Sequence, residues 1–187
     1  KLGRFIKRVD ITDDLYQLIV FMINSFVRPT DIKNMQHKHV EIVERDHTYL
    51  YLRLPPSKNK KDPIITMPKA VEVYRRHKAN YAELEAKERD QYKAMFAAFK
   101  QENKDFSASK IEQRLQTDQF DVLLSQLNLR ISANGEERSM YSLRHTCITY
   151  RYMYGEKVDL LVLARNARTS PEMIDKHYAS KFSAVHN

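Results

Sequence analysis

Only three glycines and six prolines punctuate 187 residues, and this scarcity limits what the chain can become. An all-β architecture turns about every 8–12 residues, and glycine and proline supply many of those turns. The chain is therefore expected to be mainly α, with a small three-stranded antiparallel β-sheet. With 42% hydrophobic residues it fits one compact domain over residues 1–187.

Hydrophobic spacing places the elements. Thr12-Asp13-Asp14 offers an N-cap followed by acids suited to the positive end of a helix. Leu15, Leu18, Ile19, Met22, Ile23 and Phe26 then recur at helical intervals. Arg28-Pro29 ends that helix, because proline disfavours helical geometry in its predecessor, and a short helix is expected from Asp31 to Met35. Between Val40 and Met67 the pattern becomes extended. Val40–Val43, Thr48–Leu54 and Pro63–Pro68 read as strands, with the basic loop Pro55–Asp62 between the last two.

From Lys69 to about Asn103 the chain lacks glycine and proline and is helix-forming. Residues 79–110 are densely charged and read as a helical insertion. It either covers part of the core with a solvated outer face or reaches a partner. Phe120–Leu127, Ser139–Tyr154, Val158–Asn166 and Pro171–Tyr178 complete the helices, with a turn at Asn134-Gly135 and a helix stop at Gly155.

A formal net charge of +8 points to a polyanionic partner, nucleic acid first. The lone Cys147 excludes an internal disulfide framework and reads as an inert buried thiol. No run approaches the roughly 20 apolar residues of a membrane helix. The start, Lys1-Leu2-Gly3-Arg4-Phe5, has no methionine and no signal-like core, so the chain reads as a fragment of a longer intracellular protein.

The segment Tyr141-Ser142-Leu143-Arg144-His145-Thr146 carries the strongest local signal. With Ser142 as N-cap, Arg144 and His145 fall in the first helical turn, where unpaired N–H groups favour an anion. A cation there runs against the helix dipole, which makes sense if a phosphate occupies the site. Downstream, Thr169-Ser170-Pro171-Glu172-Met173-Ile174-Asp175-Lys176-His177-Tyr178 sets a tyrosine at the end of a short helix.

Together with Arg28-Pro29-Thr30-Asp31, these segments resemble the tyrosine recombinase (phage integrase) family, in the family's order and over nearly the whole chain. The resemblance implies a recombinase catalytic-domain fold. It also implies a site-specific recombinase or integrase that cleaves and rejoins DNA through a 3′-phosphotyrosyl intermediate, as in a prophage or genomic island. Arg28 and Arg144 match the two family arginines, Asp31 the acid that follows the first, and Tyr178 the nucleophile. Lys58 matches the lysine proposed as general acid, with Lys60 and Lys61 as close alternatives that would otherwise contact DNA, as would His145. Tyr141 stands where the family usually has histidine and keeps a hydroxyl donor. Thr169 stands where histidine or tryptophan is usual, keeping a donor but losing the ring.

The chemistry accounts for the combination. Guanidiniums neutralise non-bridging phosphate oxygens and favour the more charged transition state. A tyrosine ester stores the energy of the cut link, so rejoining requires neither ATP nor a metal, and no cofactor is expected. The resemblance further implies an N-terminal DNA-binding domain outside this fragment and a homotetramer on paired double-stranded sites. Accessory DNA-bending proteins and a bacterial, nucleoid-associated location are implied as well. A type IB topoisomerase-like enzyme and a non-cutting DNA-binding relative are the alternatives.

Overall fold

The computed structural model describes residues 11–56, 62–87, 108–155 and 158–178. Among them are seven α-helices and one three-stranded antiparallel sheet, the mainly helical architecture expected from the sequence. The helices are α1 (Asp13–Ile23), α2 (Pro29–Asn34), α3 (Pro68–Lys87), α4 (Ala108–Gln126), α5 (Met140–Tyr154), α6 (Leu160–Asn166) and α7 (Pro171–His177). The strands are β1 (Val40–Glu44), β2 (Thr48–Leu52) and β3 (Ile64–Ile65), in the order β1-β2-β3. The expected insertion at residues 79–110 falls largely outside the described residues, as does the lysine loop at 57–61. No described helix is long and apolar enough to cross a membrane.

Local chemistry sets the helix starts. Thr12 caps α1, its hydroxyl accepting from Leu15 N at 3.3 Å. The second helix starts earlier than expected, at Pro29, which has no N–H to leave unpaired. Asp31 then reaches back to accept from Arg28 N at 2.8 Å. β3 is shorter than expected because prolines bound the segment and Pro68 already begins α3. Thr66 continues the pairing through its side chain, whose Oγ1 accepts from Leu50 N at 3.0 Å.

The core lies where α1 packs on α3 and α5 and where β2 lies against α3. Leu15, Met22, Leu50, Leu52, Ile64, Cys147 and Ile174 are all fully buried there. Burying each large aliphatic contributes about 1.5–3 kcal/mol relative to exposure. In α1 the expected face is divided: Leu15 and Met22 are fully buried, while Leu18, Ile19 and Ile23 pack at its margin. Helices α6 and α7 pack on each other, and α6 also meets α5 and β3. That corner brings the turn between α6 and α7 against the loop between α1 and α2.

Candidate active site

Ser139, where the helix was expected to begin, caps α5 in place of Ser142. Its Oγ accepts from Tyr141 N at 3.3 Å, while Ser142 Oγ accepts from Ser139 N at 3.1 Å. Ser142 is thus the far half of a reciprocal box, and Arg144 is the fifth helical residue. This corrects the expectation that Arg144 and His145 sit among the free N–H groups of the first turn. Tyr141 holds that place instead, 43% exposed.

Arg144 points into the protein and is 2% exposed. Its Nη1 donates to the Phe26 carbonyl and its Nη2 to the Ala167 carbonyl. Arg28 Nη2 donates to the next carbonyl along, that of Arg168, at 2.7 Å. Two guanidiniums therefore grip consecutive carbonyls of the turn that joins α6 to α7. Burial and the nearby positive charge of Arg28 pull the pKa of Arg144 below the usual guanidinium range.

Arg168 is a third cation in the cluster, absent from the residues that the sequence suggested. It is 1% exposed and has φ 48°, in the left-handed region. Thr169 N bonds back to Ala164 O and Arg168 N to Arg165 O, both at 2.9 Å, the pattern of a helix stop that usually uses glycine. Its side chain lies 3.8 Å from Asp31 Oδ1 and donates to Pro55 O at 3.3 Å. Burial lowers its pKa, with Asp31 opposing. The second bond joins the site to the residues just before the lysine loop.

Asp31 is 5% exposed and faces both Arg28 and Arg168. Two guanidiniums thus flank one buried carboxylate, whose charge also acts on Arg144. The Nη1 of Arg28 is buried without a hydrogen bond, 3.8 Å from Asp31 Oδ2. Arg28 is the most open of the three, its side chain 19% exposed. Excess buried positive charge is costly unless an anion neutralises it. The cluster is suited to a phosphate.

Tyr178 closes α7. Ser170 caps that helix by accepting from Met173 N, Pro171 fills its first turn, and buried Ile174 anchors it. The Tyr178 ring is 8% exposed, and its hydroxyl lies 2.5 Å from His145 Nδ1. Burial pushes its pKa up to about 12, against the opposing field of Arg144. The rings of Tyr141 and His145 meet edge-on at 5.1 Å, and those of His145 and Tyr178 lie 5.5 Å apart. Cys147 is buried beneath them, its thiol pKa pushed by burial up to about 12.

The fold brings together Arg28, Asp31, Tyr141, Arg144, His145 and Tyr178 among the sequence candidates. Thr169 stands half-buried on the gripped turn. Lys58, Lys60 and Lys61 lie outside the described residues. Among the described residues no group of three or more His, Cys, Asp or Glu side chains could hold a metal. Comparison of the chain with protein-family models, characterised proteins and solved structures finds no match.

Proposed function

We propose that this chain is the catalytic domain of a tyrosine recombinase, cutting and rejoining DNA through Tyr178. One observation carries the reading: a buried tyrosine hydroxyl lies within electrostatic reach of Arg144, in a cluster of three guanidiniums and one carboxylate. Such a cluster attracts a phosphodiester and favours the extra negative charge that develops as tyrosine attacks. A preorganised donor of this kind contributes on the order of 10²–10³ in rate. The formal charge of +8 adds a long-range attraction to the same polyanion.

The roles divide by exposure. Arg28, the most open, meets the phosphate oxygens, while Arg144 and Arg168 supply charge from behind at low dielectric. Lys58 takes the general-acid role that the family resemblance implies, and Arg168 anchors the chain at Pro55 just before it. Tyr141 presents a hydroxyl at the exposed rim.

A suicide half-site tests the proposal. Wild type is expected to accumulate a covalent protein–DNA adduct that resists denaturing electrophoresis, and Tyr178→Phe to accumulate none. An adduct that persists in the phenylalanine variant would overturn the assignment of the nucleophile. Exchange of strands between two paired sites, as against relaxation of a supercoiled plasmid, separates recombination from topoisomerase action.

A further inference from the structure

The nucleophile faces a difficulty that the arginines do not remove. At pH 7 a phenol with a pKa of about 12 is ionised in only about one molecule in 10⁵. Burial that protects the hydroxyl also keeps its proton on. The group beside it is neither arginine nor solvent: the Tyr178 hydroxyl lies 2.5 Å from Nδ1 of His145. Tyr141 stands where the family usually has histidine and Thr169 where it has histidine or tryptophan, so neither position holds an imidazole.

We propose that His145 is the general base of the cleavage step, holding its own proton on Nε2 and accepting the Tyr178 proton on Nδ1. This inference rests on the recombinase reading above. As the phenol oxygen forms its bond to phosphorus, its proton passes to Nδ1 and the bond from phosphorus to the 5′ oxygen breaks. That oxygen takes a proton from solvent, leaving a 5′-hydroxyl and a 3′-phosphotyrosine. In rejoining, His145 returns the proton to the departing phenol, so the two steps balance.

Positioning supports the assignment. His145 follows Arg144 in α5, so the chain that fixes the buried guanidinium also fixes the imidazole. Tyr141, one turn earlier, packs edge-on against the ring and limits its rotation. The charged and titratable groups acting on Tyr178 are Arg144, Tyr141 and Cys147, all on α5, and Arg28 and Asp31 act in turn on Arg144. The positive charge of Arg144 favours a developing phenolate.

Two measurements on the full chain test this. The first uses single-turnover adduct formation on half-sites with either oxygen or sulfur at the 5′ leaving position. Sulfur leaves without needing a proton. His145→Ala is expected to slow attack on the order of 10²–10⁴-fold at pH 7 on both substrates. Its rate should keep rising with pH where the wild-type rate has levelled. Restoration of the rate by sulfur would make His145 the acid, and an unchanged rate and pH profile would remove it from the reaction; either result overturns the proposal.

The second is the nitrogen chemical shift of the His145 ring without DNA, assigned by its loss in His145→Gln. Protonation on Nε2 with an accepting Nδ1 is expected, and the opposite tautomer overturns the proposal whatever the kinetics. Absence of any adduct in wild type alongside the expected tautomer would instead fault the recombinase reading.

Discussion

Arg144 uses its donors on carbonyls of the chain, and the identity of those carbonyls matters. One belongs to Phe26, which has φ 56°, and the other to Ala167, next to Arg168 at φ 48°. Left-handed geometry costs an L-residue about 1–2 kcal/mol. The arginines therefore stabilise the two strained turns between which they sit, and Arg28 adds a bond to the Arg168 carbonyl. Arg168 allows a direct check. Both Arg168→Ala and Arg168→Gly lose the contacts to Asp31 and Pro55, but only glycine relieves the backbone. Thermal or urea unfolding should therefore find the glycine variant about 1 kcal/mol more stable than the alanine variant. Equal stabilities would mean that the turn relaxes once the guanidinium is gone.

At the scale of elements, the shortage of glycine reappears in how helices stop. Phe26, Asn128 and Arg168 take left-handed positions that glycine usually fills. Gly155 does not: it ends α5 at φ −76° and is needed for space. A Cβ there would lie 2.5 Å from the Arg151 carbonyl oxygen and closer still to Val158 Cγ2. Gly155→Ala is expected to destabilise the fold by about 1–3 kcal/mol, read as a lower unfolding midpoint at unchanged m-value. No loss would mean that the turn into α6 yields freely. Exposed ion pairs such as Arg75–Glu44 and Arg76–Asp13, which link α3 to β1 and α1, each contribute at most about 1 kcal/mol.

The start of α1 was legible in the sequence because a cap is local chemistry: Thr12 sits where a hydroxyl meets the free N–H group three residues on. For α5 the span Ser139–Tyr154 was legible but the cap was not, since Ser139 and Ser142 are both good caps and only their reciprocal bonding tells them apart. That ambiguity of three residues moved Arg144 from the surface of a helix end to the interior. The proximity of His145 and Tyr178 could not be read at all, being created by the packing of α6 and α7 against α5. Arg168 gave one faint sign. It lies in a tight connection between two helices that holds no glycine, so some ordinary residue had to take the strained position.

For the whole molecule, the formal charge of +8 makes a quantitative demand. Binding to a DNA duplex should weaken on the order of 10³-fold between 50 and 200 mM salt, as for about six neutralised phosphates. Fluorescence anisotropy of a labelled duplex measures this, and an affinity indifferent to salt would count against nucleic acid as the partner.

The buried cluster has a further consequence, in the timing of synthesis. The bond from Arg28 to Arg168 O spans 140 residues, and that from Arg144 to Phe26 O spans 118. Contacts so distant along the chain form late, after most of the loop-closure entropy has been spent. A growing polypeptide that has emerged only as far as α5 has Arg28 and Arg144 but neither the α6–α7 turn they grip nor Tyr178. Until α7 docks, such a chain carries both guanidiniums without Tyr178 beside them.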